Sequence, residues 1–220
     1  MAEALAPPLP VVVLISGAGS NLGALIAAQP QWPYRIVAVI SNEAQARGLA
    51  RARDAGIPTA VLDHRAYPDR PAYDQDLAGL IDGYAPGLVV LAGFMRILGP
   101  AFVARFAGRL LNIHPSLLPK FRGLHTHRRA LEAGESEHGA SVHFVTAELD
   151  GGPVVLQARV PIQPGDDPAR LGERVLATEH RIYPMVVGWF AQGRLRLGAD
   201  GRARLEGAAR EPPLILEDLV

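Results

Sequence analysis

Apolar runs alternate with helical patterns through the first half of the chain. Four runs predict buried strands, over 11–15, 34–41, 57–62 and 88–92. Three patterns with helical spacing separate them, over 21–28, 43–55 and 71–84. Fully apolar strands separated by helices are typical of parallel sheets covered on both faces. We therefore expect an α/β fold with an open, doubly wound, mostly parallel sheet.

The pattern changes in the second half. A fifth strand over 109–114 is followed by strands over 140–145 and 154–161, which a Gly-rich turn at 149–152 joins. A long helical pattern covers 168–192, and 193–207 predicts a hairpin with its turn at 198–201. These elements form one domain over 11–207, between a disordered N-terminal tail over 1–10 and a loose C-terminal tail over 208–220.

The fifth strand carries two polar side chains. Because side chains alternate along a strand, Leu110, Asn112 and His114 share one face, and Leu111 and Ile113 share the other. Pro115 removes a ladder donor and ends the strand, so His114 lies at its carboxyl end. Open α/β sheets bind ligands at that edge, and we expect the chemistry there.

Charge and composition exclude several classes of partner. The chain has 22 Lys and Arg against 22 Asp and Glu, a formal net charge of zero, and no basic block. Duplex nucleic acid and membrane surfaces are therefore not expected as partners. The sequence contains no cysteine, which fits a cytoplasmic protein and excludes thiolate chemistry. The first ten residues lack the pattern of a signal peptide.

A Gly-rich loop lies between the first strand and the first helix. In the segment 16–21, glycines let backbone N–H groups approach an anion at the helix N-terminus. A dinucleotide motif would require glycine where Leu22 stands. Gly19, Ser20 and Asn21 fit a phosphate monoester, and a tight turn with a capped helix fits them equally well.

Five of the seven histidines lie between His114 and His143, which raises the question of a metal site. His125 and His127 have suitable spacing, but neither a His-Glu-x-x-His motif nor a cysteine accompanies them, so no metal is expected. A covalent route through Ser116 is also disfavoured, because prolines flank this serine and it lacks a Gly-x-Ser-x-Gly elbow.

Direct acyl transfer suits the polar residues better. An amine that attacks a formyl carbonyl produces an oxyanion, which Asn112 and a protonated His114 can stabilise by hydrogen bonding. A nearby carboxylate favours the imidazolium, and Asp150 is the candidate. Turn chemistry alone would also explain an Asp before two glycines.

A carboxylate also falls on the apolar stripe of the last long helix. Glu179 lies four residues after Val175 and three before Ile182, so it faces inward with them. A carboxylate in that position needs a partner, either an internal arginine or a ligand amine.

Four segments carry a resemblance to a known family. They are Ile-Ser-Gly-Ala-Gly-Ser-Asn-Leu (15–22), Leu-Ala-Gly-Phe-Met-Arg-Ile-Leu (91–98), Asn-Ile-His-Pro-Ser-Leu-Leu-Pro (112–119) and Glu-Leu-Asp-Gly-Gly-Pro (148–153). The third resembles the folate-dependent formyltransferases in general. With the first and the chain length, the set resembles the phosphoribosylglycinamide formyltransferases, from about residue 11 to about residue 197.

The resemblance implies a Rossmann-like cytoplasmic enzyme of purine biosynthesis, a monomer or homodimer. It implies transfer of a formyl group from 10-formyltetrahydrofolate, the co-substrate, to the amine of glycinamide ribonucleotide, with no metal. The implied catalytic residues are Asn112, His114 and Asp150. Those at glycinamide ribonucleotide are Gly19, Ser20, Asn21, Leu176, Ala177, Thr178 and Glu179. Those at the folate are Arg70, Met95, Arg96, Ile97, Leu98, Asn112, Thr146, Ala147, Glu148, Leu149 and Asp150.

Three alternatives remain. A methionyl-tRNA formyltransferase would carry a further, basic C-terminal domain, and a formyltetrahydrofolate hydrolase would carry an N-terminal regulatory one. A phosphosugar- or nucleotide-binding module without catalysis would explain the Gly-rich loop, but not the pair formed by Asn112 and His114 or the inward Glu179.

Overall fold

The apolar runs of the sequence lie side by side as strands in the computed structural model, which describes residues 7–209 and 213–216. The strands are β1 (Leu9–Ile15), β2 (Tyr34–Ser41), β3 (Thr59–Val61), β4 (Leu88–Leu91), β5 (Leu110–His114), β6 (Glu137–Phe144), β7 (Val154–Pro161), β8 (Leu195–Leu197), β9 (Ala203–Leu205), β10 (Ala208–Ala209) and β11 (Leu214–Ile215). The helices are α1 (Ser20–Ala28), α2 (Arg47–Asp54), α3 (Arg70–Asp82), α4 (Pro100–Arg105), α5 (Thr126–Glu132) and α6 (Pro168–Ala191). Two short 3₁₀ helices cover Gln29–Gln31 and His64–Ala66.

Eight strands form the main sheet, in the order β11-β7-β6-β5-β4-β1-β2-β3. Strands β1 to β5 are parallel to their neighbours within this group, and β6 runs antiparallel to both β5 and β7. The chain order reverses between β1 and β4, which creates a crevice beyond their carboxyl ends. The predicted doubly wound, mostly parallel sheet is confirmed.

Helices cover both faces of the sheet, as predicted. Side chains of α1, α2 and α6 pack on one face, and those of α3 and α4 pack on the other. Tyr183 of α6 is fully buried, and its hydroxyl donates to the carbonyls of Leu91 (2.8 Å) and Leu111 (3.1 Å). This side chain fixes α6 to the neighbouring strands β4 and β5.

Both predicted tails overlap regular structure. Strand β1 begins at Leu9, because the Leu9 N–H donates to the Pro33 carbonyl (2.8 Å) and pairing with β2 starts there. Strand β11 pairs with β7 inside the stretch expected to be a loose C-terminal tail. Residues 1–6, 210–212 and 217–220 lie outside the described residues. The division into one domain and two tails stays a prediction.

Helix α2 starts four residues later than predicted. The Ser41 hydroxyl both accepts from the Glu43 N–H (3.0 Å) and donates to the Glu43 carbonyl (2.9 Å), which builds a turn before the helix. The terminal hairpin is present as β8 and β9, and β10 extends it to a three-stranded sheet. Within the two described ranges, no helix combines the length and the apolarity that a bilayer crossing requires.

Candidate active site

The Gly-rich loop after β1 is held tightly at the start of α1. Gly19 has a left-handed backbone (φ 69°), and a Cβ there would lie 2.6 Å from the Gly48 Cα at the start of α2. The Gly48 N–H donates to the Gly17 carbonyl (3.0 Å), and the Arg51 Nε donates to the Ala18 carbonyl (3.1 Å). The loop therefore presents the free N–H groups of α1 beside a cationic side chain, as an anion site requires.

Glu179 faces inward, as its spacing predicted, and its partner is Asn21. The Asn21 Nδ2 donates to the Glu179 Oε2 (2.7 Å), so the internal partner is an amide and not the arginine that the sequence suggested, and a ligand amine stays a prediction. Burial raises the pKa of Glu179, and the hydrogen bond from Asn21 opposes this effect. The buried Asn21 Oδ1 has no partner among the described residues. Leu176 and Thr178 are half-buried and Ala177 is exposed.

Asn112, His114 and Asp150 lie together on one face of β5. The His114 Nδ1 is 3.4 Å from the Asp150 Oδ2, and its Nε2 is 3.0 Å from the Phe121 carbonyl oxygen. Both ring nitrogens thus face oxygen acceptors, which a doubly protonated ring satisfies. Asp150 has a left-handed backbone (φ 48°), and its Oδ2 accepts from the Gly123 N–H (2.9 Å). The loop between β6 and β7 thus brings the Asp150 carboxylate to the His114 ring.

His143 belongs to the same cluster, although no site role was predicted for it. Antiparallel pairing places it opposite Asn112, and its Nε2 lies 3.1 Å from the Asn112 Nδ2. Its Nδ1 is 2.8 Å from the Phe144 carbonyl oxygen and its Nε2 is 3.8 Å from the Asp150 Oδ1. Burial lowers the pKa of His143 to about 4, so the ring is neutral near pH 7. The strand pairing that creates this contact is non-local.

The segment after β4 exposes apolar side chains. Met95 is 69% exposed and Ile97 is 58% exposed, whereas Leu98 is buried beneath them. Exposed large apolar side chains in proximity indicate a binding surface.

The loop after β6 exposes a further large apolar side chain. Leu149 is 51% exposed beside Asp150, Ala147 and Glu148 are exposed, and Thr146 is half-buried. Glu148 forms an ion pair with Arg122, and Lys120 pairs with Glu135, so both basic residues near His114 already have acidic partners.

The two predicted arginines both lie near Asp74 of α3. Both Arg70 and Arg96 act electrostatically on the buried Asp74. Arg70 also lines a cavity of about 350 Å³ between α3 and α4. The sequence suggested both arginines as folate residues; Arg70 starts α3 and Arg96 belongs to the segment after β4, and their role at the folate stays a prediction.

Comparison with known proteins decides the family. A family model described as formyl transferase matches residues 9–187. The chain belongs to the formyl transferase family. A phosphoribosylglycinamide formyltransferase from Escherichia coli strain K12 is 59% identical over 205 residues, which cover 92% of this chain and 96% of the relative. A protein of the same name from Haemophilus influenzae is 49% identical over 201 residues, covering 90% and 94%.

Solved structures agree with the formyl transferase assignment. The phosphoribosylglycinamide formyltransferase of Coxiella burnetii superposes with a TM-score of 0.90 at 53% identity, covering 94% of this chain and 99% of that one. The strand order and the long C-terminal helix are therefore those of formyl transferases.

The sequence also raised a covalent route through Ser116 and a metal site at His125 and His127. Ser116 is fully buried, and its hydroxyl donates to the Lys120 carbonyl (2.6 Å). His127 pairs with the ring of His138 (3.1 Å between Nδ1 and Nε2). In the part of the chain that the structure describes, no three His, Asp or Glu side chains are grouped to hold a metal ion.

Proposed function

We propose that this protein transfers the formyl group of 10-formyltetrahydrofolate to the amine of glycinamide ribonucleotide. The products are formylglycinamide ribonucleotide and tetrahydrofolate, in purine biosynthesis. The relatives at 59% and 49% identity are phosphoribosylglycinamide formyltransferases by name. The observation that carries the chemistry is His114, held between the Asp150 carboxylate and the Phe121 carbonyl beside Asn112.

Glycinamide ribonucleotide would lie along α1 and α6. Its phosphate would meet the backbone at Gly19, Ser20 and Asn21, where the free N–H groups of α1 and Arg51 favour negative charge. Its glycinamide end would meet residues 176–179 of α6. Support for this orientation comes from the unpartnered Asn21 Oδ1 and the buried Glu179, since both accept hydrogen bonds from N–H groups.

The folate would lie on the exposed apolar surface near His114. Met95, Ile97 and Leu149 offer large apolar side chains, and Leu98 supports them from below. Thr146, Ala147 and Glu148 would complete this side of the pocket. Arg70 and Arg96 add positive charge that suits a carboxylate-bearing ligand.

The reaction would proceed by direct attack, without a covalent enzyme intermediate. The amine nitrogen forms a bond to the formyl carbon, and the carbonyl oxygen becomes an oxyanion that accepts from Asn112 and from the His114 Nε2–H, which would turn from the Phe121 carbonyl to the oxyanion. The bond from the formyl carbon to the folate N10 then breaks. The proton lost by the amine reaches N10 through His114 or a water molecule. Where His114 relays the proton, its imidazolium first gives one proton to N10 and then takes the proton lost by the amine. Asp150 stabilises the imidazolium form of the ring.

The first prediction concerns these roles. His114→Ala and Asp150→Ala should remain folded and lower kcat by about 10²–10³, the typical effect of removing one oxyanion donor. His114→Ala removes the donor itself, and Asp150→Ala removes the carboxylate that favours its charged form. Turnover is measured from tetrahydrofolate formation with both substrates, and folding from circular dichroism. Ser116→Ala, the control for a covalent route, should retain most activity. Near-normal turnover of His114→Ala would contradict the assignment.

The choice of acceptor separates this function from its rivals. Formate release from 10-formyltetrahydrofolate without the nucleotide would indicate a hydrolase, and formylation of methionyl-tRNA would indicate the tRNA enzyme.

We further propose that the protein works in the cytoplasm on small molecules only, as a monomer or homodimer. Equal numbers of acidic and basic residues support the absence of a nucleic-acid or membrane partner. Light scattering after gel filtration measures the oligomeric state.

A further inference from the structure

The segment Met95–Leu98 is anchored at its first residue by Ser16. The Met95 N–H donates to the Ser16 Oγ (2.7 Å), and the Ser16 N–H donates to the Gly93 carbonyl (3.1 Å). The Ser16 hydroxyl in turn donates to the Asn42 Oδ1 (2.5 Å) at the end of β2. The hydroxyl proton is thereby committed to Asn42, which leaves the Ser16 oxygen as an acceptor for Met95.

Asp74 of α3 anchors the other end. Its Oδ2 accepts from the Gly99 N–H (2.7 Å), and a Cβ at Gly99 would lie 2.9 Å from that oxygen. Asp74 is only 6% exposed, and its other oxygen has no partner among residues 7–209 and 213–216. Burying a carboxylate costs free energy unless it is hydrogen-bonded. The hydrogen bond from the Gly99 N–H therefore stabilises Asp74 at this position and ties the backbone of Gly99 to α3.

These two bonds matter because the segment between them has no regular secondary structure. It nevertheless displays Met95 and Ile97 outward and Leu98 inward. Fixing both ends to side chains on the rigid sheet and on α3 removes conformations in which the apolar side chains would point elsewhere. Binding to a preorganised surface loses less conformational entropy.

We propose that Ser16 and Asp74 are positioning residues that clamp the segment Met95–Leu98 and so set the affinity for the formyl donor. The inference rests on the proposed folate site. The larger effect should fall on the donor, because the backbone N–H groups that the two side chains bind, those of Met95 and Gly99, lie at the ends of this segment. The Ser16 residue starts the Gly-rich loop, but its hydroxyl bonds to Asn42 and Met95.

The test compares Ser16→Ala, Asp74→Ala and Asp74→Asn in steady-state kinetics with both substrates. Each alanine variant should raise the KM for 10-formyltetrahydrofolate by about twofold to tenfold, the effect of one lost hydrogen bond. The KM for glycinamide ribonucleotide and kcat should change by less than about twofold. Asp74→Asn keeps an oxygen acceptor for the Gly99 N–H and should restore the donor KM.

Hydrogen exchange measured by NMR gives a direct readout of the clamp. The Met95 amide should exchange faster in Ser16→Ala and the Gly99 amide should exchange faster in Asp74→Ala. Ser136→Ala and Asp76→Asn are matched controls, because both side chains are exposed and Asp76 lies on the same helix as Asp74. Both controls should leave the donor KM and the two amides unchanged.

Several results would overturn the clamp. They are an unchanged donor KM despite faster exchange, an equal rise of both KM values, and an Asp74→Asn variant as impaired as Asp74→Ala. If Asp74→Ala does not fold, Ser16→Ala alone must raise the donor KM. Absence of turnover by the unaltered protein would contradict the proposed function itself, whereas an active enzyme with unchanged donor KM in the variants contradicts only the clamp.

Discussion

At the residue scale, a neutral histidine orients the amide of Asn112. The His143 Nδ1 faces the Phe144 carbonyl and must donate to it, so its Nε2 carries no proton and accepts from the Asn112 Nδ2. An asparagine amide has two N–H groups, and this contact uses one of them. The second N–H is left for the proposed oxyanion, and the amide cannot flip without losing its bond to His143.

The second prediction follows from this orientation. His143→Phe removes the acceptor and lets the Asn112 amide rotate, so kcat should fall on the order of tenfold to a hundredfold, as for other small misplacements of a catalytic group. The KM values should change little. His143→Gln retains an acceptor and should recover part of the loss. Equal kcat values for the two variants would show that the hydrogen bond does not position Asn112.

The sequence predicted part of this cluster. Strand alternation was sufficient to place Asn112 and His114 on one face, because that periodicity is local. The contact of Asp150 with His114 was only a hypothesis from residue chemistry, and the contact of His143 with Asn112 was not predicted. His143 stood out only as one histidine among five, since its role depends on the register between β5 and β6, and strand register is not a local property.

At the element scale, the Gly-rich loop before α1 packs directly against the backbone at the start of α2. Gly48 lies at the start of α2, and a Cβ there would lie 2.6 Å from the Ile15 Cδ1 and 3.1 Å from the Gly19 Cα. The backbone of α2 therefore forms one wall of the Gly-rich loop. The geometry of the proposed phosphate site depends on this close approach as well as on the glycines of the loop.

The third prediction tests this approach. Gly48→Ala should overpack the contact, lower the free energy of unfolding by about 1–3 kcal/mol and raise the KM for glycinamide ribonucleotide. Gly79→Ala is the matched control, because Gly79 lies in α3 and a Cβ there meets nothing within 4 Å. This control should stabilise the protein by roughly 0.5–1 kcal/mol through helix propensity and leave the KM unchanged. Urea titration measures stability, and a stable Gly48→Ala variant would contradict the packing argument.

Strands and long helices were predictable at this scale, whereas short helices and strand order were not. The bounds of β2 and β7 match their apolar runs, because a continuous apolar run is a strong local signal. Helices α4 and α5, with six and seven residues, are too short to show a clear period, and neither was predicted. The antiparallel insertion of β6 between β5 and β7 is a choice of pairing partner that no single segment encodes.

At the scale of the whole molecule, acid sensitivity follows from buried histidines. Burial lowers the pKa of both His143 and His138 to about 4, and it lowers the pKa of His127. His138 faces the His127 ring and the Phe121 ring, and Glu135 and His114 act on it electrostatically. These rings are kept neutral by the fold, and unfolding exposes them to water.

The fourth prediction gives the sign of this effect. Between about pH 4 and pH 6.5 these histidines bind more protons in the unfolded chain than in the folded one, so their contribution to the free energy of unfolding falls as the pH is lowered through this window. Burial raises the pKa of Glu179 and of Asp74, and these two carboxyl groups act in the opposite direction. One histidine that is fully shielded from protons contributes about 1.4 kcal/mol per pH unit to this slope. His138→Gln should reduce the slope by less than this amount, because solvent screening lessens the effect. Urea titrations at half-unit pH steps measure the slope. Above pH 6.5 the plots of unfolding free energy against pH should be parallel for the unaltered protein and for His138→Gln. If the slope below pH 6.5 is the same for both proteins, His138 takes up a proton as readily in the folded protein as in the unfolded chain, which contradicts the prediction.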